Sequence, residues 1–242
     1  MRLRCTVARF VLAWLFSCTH AALLAQPDCA LRIGTNLGGL ADYMTEMPFV
    51  DVMHHARPWY TTTADGNGPF NSETIDQIPK DAAGYPLELP YSVNGQPQIV
   101  KTIWASLAGW PEGTYTLLYD GDGDIDFWGD LSVVTQTPGR ITLNFQRPSS
   151  GSGLAEMRLR RSNVANRLKN IRLLMPGTET TYLTQPFYAP FLARLAPFKT
   201  IRFMDWGSTN NWGHDDAGSS YDQPTDSIRT PWADRAQPAN YT

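Results

Sequence analysis

Cysteine is scarce in this chain of 242 residues, which contains only three. Cys5 and Cys18 lie in the N-terminal segment, so a chain processed after it keeps Cys29 alone and forms no internal disulfide. The sequence has neither a CxxC nor an HExxH motif, and the adjacent His54 and His55 would face opposite sides of a strand. We therefore expect no metal site and no cofactor from these residue types.

Clusters of positive charge are also missing. The formal net charge is −3, and no basic run occurs. Proteins that bind nucleic acid mainly need a basic surface, so nucleic acid is not the expected partner. Aromatic residues, by contrast, make up 12% of the chain, which is typical both of β-rich cores and of proteins that stack on sugars. Neither composition nor charge indicates an oligomeric state.

The first 25 residues have the pattern of a secretory signal peptide. Three arginines precede a mostly apolar stretch at residues 10–24. This stretch is too short and too interrupted for a membrane span, so we expect cleavage before Gln26, or alternatively after Ala21. The mature protein would then be periplasmic or extracellular, without an integral membrane segment. Lipid attachment at Cys18 is the alternative.

Between residues 98 and 170, apolar and polar side chains tend to alternate along the chain, with a period of two. It predicts short strands at residues 99–105, 113–119, 124–128, 131–135, 140–145 and 154–160, with a hairpin turn at residues 137–139. Short alternating strands at this spacing indicate an antiparallel β-sandwich or jelly roll. Such a module either binds carbohydrate on one sheet face or braces a catalytic domain. The turn-rich stretch at residues 61–97 is expected to be irregular surface chain.

The acidic sequence Asp-Gly-Asp-Gly-Asp-Ile-Asp at residues 120–126 suggests a calcium loop at first sight. An EF-hand needs glycine at its sixth position and glutamate at its twelfth, where this chain has Ile125 and Leu131. We therefore interpret the segment as a hairpin turn that joins strands 114–119 and 125–128. Calcium bound in another geometry is the alternative.

The main candidate for a ligand site is residues 200–211. Apolar side chains interrupted by Arg202 and Asp205 predict a short buried strand, followed by a polar loop with Asn210. In α/β proteins the loops at the carboxyl ends of strands carry the ligand site. A sugar fits these residues, because Trp206 offers an apolar face and the polar side chains offer hydrogen bonds. The alternative is an ordinary strand with an Arg202–Asp205 ion pair.

Two further segments place this strand in context. Residues 187–198 have apolar side chains at helical spacing, so a helix is expected just before it. Near the N-terminus, an apolar run ends at Asn36 and the glycine pair 38–39, which permits close approach of a ligand. This pattern is not GxGxxG, and a dinucleotide site is therefore not indicated.

Seven short segments together carry a resemblance to a known group. They are Gly-Thr-Asn-Leu at 34–37, Pro-Phe-Val-Asp-Val at 48–52, Asn-Ile-Arg at 170–172 with Met-Pro-Gly at 175–177, Arg-Phe-Met-Asp-Trp at 202–206 with Thr-Asn at 209–210, and Trp-Ala-Asp-Arg at 232–235. As a set they resemble secreted bacterial proteins that look like glycoside hydrolases of the large (β/α)8 clan that includes the cellulases, often joined to cellulose-binding modules.

The resemblance implies a fold of mixed α and β class, in which an antiparallel, jelly-roll-like sandwich is inserted in the first strands of an incomplete (β/α)8 barrel. The expected organisation is a signal peptide at 1–25, a first barrel strand and loop at 26–60, the sandwich at 61–175, and the truncated start of the barrel at 176–242. Such a protein would act on or bind a polysaccharide such as β-glucan or cellulose.

The same resemblance implies roles for individual residues. Arg202 would support a catalytic nucleophile by charge and hydrogen bonding. Substrate contacts would come from Asn36, Asp205, Trp206, Asn210 and Trp212. The two catalytic carboxylates of the clan, needed roughly 5 Å apart for retention, would lie beyond residue 242. The rival hypothesis is a non-catalytic carbohydrate-binding or cell-surface adhesion protein.

Overall fold

The computed structural model describes residues 33–151 and 153–203, which form eleven strands and one α-helix. The strands are β1 (Gly34–Asn36), β2 (Tyr60–Thr63), β3 (Tyr91–Val93), β4 (Gln96–Ala105), β5 (Gly113–Asp120), β6 (Gly123–Gly129), β7 (Leu131–Thr137), β8 (Arg140–Phe145), β9 (Leu154–Ser162), β10 (Lys169–Leu174) and β11 (Thr200–Arg202). The helix is α1 (Ala189–Leu195), and short 3₁₀ helices occupy Val52–His55, Ile75–Gln77 and Leu107–Gly109. The expected signal peptide and the cysteines lie outside the described residues.

Two antiparallel sheets contain most of the strands. One has the order β10-β5-β8-β7, and the other has the order β2-β4-β9-β6, with β3 also paired to β4. Residues alternate between buried and partly exposed along β8, as the period of two predicts. The buried side chains of both sheets belong to one hydrophobic cluster. The two sheets therefore form a β-sandwich-like arrangement.

Aromatic side chains fill the centre of this shared core. Trp110 stacks on Tyr115 with ring centroids 5.2 Å apart. It forms edge-to-face contacts with Trp104 and with Phe145, each with ring centroids 5.9 Å apart. These rings come from both sheets and from the segment between them. The indole N–H of Trp104 donates to the carbonyl of Val52 at 2.9 Å, so burying this nitrogen leaves no donor unsatisfied.

The predicted (β/α)8 barrel is wrong. Such a barrel needs parallel strands that each precede a helix, whereas the described residues contain one helix and are predominantly β-sheet. Within those residues the only parallel pair is β1 with β11, which forms a separate two-stranded sheet. The mixed α and β class is therefore replaced by a mostly antiparallel β class.

Several local predictions can be checked against the strands. The helix expected at 187–198 is present but shorter, and β7 and β8 form the predicted hairpin, with Thr137 opposite Arg140. The acidic turn at residues 121–122 is not a hairpin, because β5 and β6 belong to different sheets. The stretch 61–97 is not purely irregular, since it holds most of β2, all of β3 and the buried Tyr85.

The described helix has seven residues, whereas about 20 are needed to cross a bilayer. Within residues 33–151 and 153–203, no helix is long and apolar enough to do so.

Candidate functional site

The outer face of the five-stranded sheet collects polar and aromatic side chains. The inner residues of these strands, such as Val100 and Met157, belong to the core, so their neighbours along each strand face outward. The register sets two rows on the outer face: Tyr60, Lys101, Arg158 and Asp126 in the first, and Ile103, Glu156 and Trp128 in the second. We call the exposed part of this surface, formed by Phe70, Asp126, Trp128, Arg158 and Arg160, the Trp128 face.

Trp128 is the most distinctive side chain of this face. It is 56% exposed, whereas the three other tryptophans in the described part of the chain, at positions 59, 104 and 110, are buried. It lies on β6, which is an edge strand and pairs only with β9. More than half of this side chain is therefore accessible to solvent.

Glu156 is the buried centre of a polar network beside Trp128. It lies opposite Trp128 in the register, and its side chain is only 4% exposed. One carboxylate oxygen accepts hydrogen bonds from the Tyr60 hydroxyl at 3.2 Å and the Lys101 ammonium at 3.1 Å, and the other accepts from Nε of Arg158 at 2.5 Å. Both oxygens of this buried charge are thus satisfied, as a stable buried ion pair requires.

This burial has an electrostatic consequence for Tyr60. Burial of the hydroxyl, reinforced by the negative charge of Glu156, raises the pKa of Tyr60 well above its usual value. The phenol therefore stays protonated at every physiological pH and remains a hydrogen-bond donor to Glu156.

Phe70 covers the other side of the network. Its ring lies 4.5 Å from the Lys101 ammonium and 5.0 Å from the Tyr60 ring, which is a cation–π geometry. The outer side of the Phe70 ring remains accessible, since the residue is 56% exposed. Lys101 on β4 and Trp128 on β6 are two strands apart, about 10 Å at the usual strand spacing. Two exposed rings thus flank the polar network.

Arg160 and Asp126 complete the face. Arg160 donates to Asp126 at 3.4 Å and to the carbonyl of Ala64 at 3.1 Å. The second carboxylate oxygen of Asp126 has no hydrogen-bond partner among the described residues. That oxygen is buried, whereas the Asp126 side chain as a whole is 44% exposed, so the oxygen that accepts from Arg160 is the one left for a ligand hydroxyl group.

The structure brings together two of the residues predicted from sequence. Asn36 and Arg202 are register partners in the parallel pair of β1 and β11. Asn36 also lines a cavity of about 210 Å³ with Glu46, Phe191 and Arg194 among its other walls. Glu46 is the one carboxylate among the residues described as lining it. The remaining predicted contacts, Asp205, Trp206, Asn210 and Trp212, lie outside the described residues.

In the acidic turn between β5 and β6, the aspartates are paired with Arg161. Arg161 donates to Asp122 and to Asp124, each at 2.9 Å, and Asn163 donates to Asp122 at 2.8 Å. The hydrogen bond from Arg161 is the main reason that the pKa of Asp122 falls to about 2. Among the described residues no group of three or more His, Cys, Asp or Glu side chains could hold a metal ion.

Sequence reasoning did not single out the Trp128 face. The period of two along residues 124–128 did indicate that Asp126 and Trp128 point to the same side. It did not indicate that β9 would be the neighbour that supplies Glu156 and Arg158. Comparisons with protein-family models, curated proteins and solved structures find no significant match to this chain.

Proposed function

We propose that this protein binds a polysaccharide through the Trp128 face. The observation that carries the proposal is the exposed Trp128 ring beside polar groups that the buried Glu156 holds in place. The apolar face of a pyranose ring stacks on an indole, while its hydroxyl groups need donors and acceptors at the edge of that ring. This site offers both.

The polar partners suit hydroxyl groups because they are of both kinds. Arg158 and Arg160 are donors, and the exposed part of the Asp126 carboxylate, whose side chain is 44% exposed, is an acceptor. Their positions are set before any ligand arrives, because each is tied to the sheet by an ion pair or a backbone contact. Binding then costs less side-chain entropy than it would with free arginine side chains.

Secretion is part of the same proposal. The N-terminal pattern of three arginines and an apolar stretch supports export, which would bring the protein into contact with extracellular polysaccharides. The hydrolase prediction concerns carboxylates expected beyond residue 242 and stays a prediction.

The test is binding to a panel of soluble and insoluble polysaccharides, measured by affinity electrophoresis and by pull-down. Trp128→Ala should weaken binding about tenfold or more, since loss of a central aromatic contact costs at least about 1.4 kcal/mol. Tyr43→Ala is the matched control, because Tyr43 is an aromatic residue that is 65% exposed and lies outside both sandwich sheets.

The proposal is wrong if the wild-type protein binds nothing on the panel. It is equally wrong if Trp128→Ala binds as well as the wild type, or if Tyr43→Ala loses the same affinity. Thermal unfolding of each variant, followed by circular dichroism, verifies that the fold is intact.

A further inference from the structure

We propose that the polysaccharide is acidic and that Arg158 binds the carboxylate of a uronic acid residue. This inference rests on the proposed function, because it names the ligand class of the same site. It follows from the geometry of one guanidinium group and from the charges around it.

Arg158 uses only part of its guanidinium in the protein. Its Nε donates to Glu156, whose other oxygen is occupied by Tyr60 and Lys101. Its two terminal nitrogens have no hydrogen-bond partner among the described residues, and neither is one of the buried unpartnered atoms. The side chain is 29% exposed. The terminal nitrogens are therefore open to solvent on the Trp128 face.

The anchoring by Glu156 fixes the plane of this group. A guanidinium is a planar fork, and holding its Nε leaves the two outer N–H groups free to donate in parallel. A carboxylate accepts such a pair of hydrogen bonds in a bidentate arrangement, and each of these charge-assisted bonds is roughly twice as strong as one between neutral groups. A sugar hydroxyl has a single oxygen, so it cannot accept both hydrogen bonds in this bidentate arrangement.

The local charge balance favours the same ligand. The outer face carries three cations, Lys101, Arg158 and Arg160, against two anions, Glu156 and Asp126. The chain as a whole has a formal net charge of −3, so the excess positive charge on this face is opposite in sign to the net charge of the chain. Lys101 is covered by the Phe70 ring and bound to Glu156. Arg160 uses both terminal nitrogens, for Asp126 and for the carbonyl of Ala64, so Arg158 is the cation of this face with both terminal nitrogens free among the described residues.

Arg158 is also close enough to Trp128 for one sugar to meet both. Trp128 lies directly opposite Glu156, and Arg158 is two residues further along β9 on the same face. Diagonal neighbours of this kind lie within reach of aromatic and long side chains. A uronic acid ring stacked on Trp128 would thus bring the carboxylate at its edge towards the Arg158 fork.

The experiment compares one polyuronate with the same polymer after its carboxyl groups have been reduced to alcohols. The full chain and its variants Arg158→Gln, Arg158→Lys and Trp128→Ala are titrated against both polymers. Arg161→Gln is the matched control. Arg161 is also on β9, and its substitution removes the same charge, but Arg161 pairs with Asp122 and Asp124 rather than with Glu156. Thermal unfolding verifies that each variant is folded.

We expect the wild type to bind the polyuronate about tenfold more tightly than the reduced polymer. Arg158→Gln should remove this difference, because it lowers the affinity for the polyuronate much more than the affinity for the reduced polymer, to which Arg158 offers only neutral hydroxyl contacts. Arg158→Lys should recover only part of the preference, because lysine keeps the charge and loses the fork. Trp128→Ala should weaken binding to both polymers, and Arg161→Gln should behave as the wild type.

Each failure points to a different conclusion. Equal affinity for both polymers, still dependent on Trp128, overturns the acidic ligand and leaves polysaccharide binding standing. A preference that Arg161→Gln reduces as much as Arg158→Gln is general charge attraction and also overturns the inference. Absence of binding to either polymer and to the wider polysaccharide panel overturns both proposals.

Discussion

His55 is an unusual residue of the core. It is buried in the 3₁₀ helix Val52–His55, and neither ring nitrogen has a hydrogen-bond partner among the described residues. Its ring meets the edge of Trp110 with centroids 6.3 Å apart. Burial, followed by the charge of the neighbouring His54, lowers the pKa of His55 to about 3. His55 is therefore neutral in the folded protein.

This lowered pKa makes stability depend on pH. The unfolded chain takes up a proton on His55 near its ordinary pKa of 6.5, whereas the folded protein does so only near 3. The contribution of His55 is fully present above pH 6.5 and is lost as the pH falls from there towards 3. We expect the free energy of unfolding to fall by about 1.4 kcal/mol per pH unit in this window through this residue.

Urea denaturation of the wild type and of His55→Leu at pH 7.5 and pH 4.5 measures this effect. The variant should lose less stability between the two values, because leucine cannot take up a proton. His54, whose pKa burial also lowers, is present in both proteins and cancels in the comparison. Identical pH dependence of the two proteins would contradict the assignment.

At the scale of elements, β6 and its end at Gly129 position Trp128. Gly129 has a positive φ of 94°, and a Cβ built there would lie 2.2 Å from the carbonyl oxygen of Leu154. The next residue, Asp130, donates its N–H to that same oxygen at 2.8 Å and accepts from Leu154 N–H at 2.7 Å. This close approach ends β6 and fixes it to β9.

Comparing Gly129→Ala with Gly95→Ala separates the cost of a steric clash from the cost of a strained backbone. Gly129→Ala should lower the free energy of unfolding by at least about 2 kcal/mol more than Gly95→Ala does. Gly95 is the control because it also has a positive φ, of 79°, and has no atom within 4 Å of an added Cβ. Both proteins are compared by urea denaturation at neutral pH.

Equal losses at the two positions would mean that the backbone near Leu154 moves aside without cost. In that case the end of β6 is not rigid, and Trp128 would not be held in position by it. Polysaccharide binding by Gly129→Ala would then match that of the wild type.

The strands were the elements that sequence predicted well. The expected strand at residues 140–145 coincides with β8, and the hairpin between β7 and β8 follows from the Pro138-Gly139 pair, which favours a tight turn. The turn at Asp122 was assigned to a hairpin for the same local reason. Local turn chemistry is identical whether the next strand pairs with the previous one or crosses to the other sheet.

At the scale of the whole molecule, one core joins the two sandwich sheets. Trp110 is buried among aromatic side chains from both sheets, whereas Trp128 is exposed on an outer face. Trp110→Ala should therefore reduce the free energy of unfolding by about 3–5 kcal/mol, since it empties a large volume of the core. Trp128→Ala should change the free energy of unfolding by no more than about 0.5 kcal/mol.

Denaturation followed by far-ultraviolet circular dichroism and by tryptophan fluorescence checks this prediction. For the wild type, the two probes should give the same midpoint, because neither sheet has a core of its own. A large loss of stability in Trp128→Ala would contradict the outward placement of that ring. Two separate transitions from the sandwich would contradict a shared core.

The barrel prediction failed at this same scale. A helix followed by a strand was predicted here, and Asn36 and Arg202 do meet across a parallel pair, but β11 is exposed or half-buried rather than buried as predicted. A local pattern of this kind does not state how many such units follow or what the other strands do. In the described residues the other nine strands pair in antiparallel sheets instead.

The sequence by itself determined where most strands and the helix lie, because side-chain alternation and helical spacing are properties of neighbouring residues. It also determined that Asp126 and Trp128 share a side of their strand. Only the tertiary structure decided that β9 lies beside β6 and brings Glu156 and Arg158 next to Trp128. Backbone hydrogen-bonding groups are the same in every strand, so pairing is chosen by burial of the whole core rather than by any local signal.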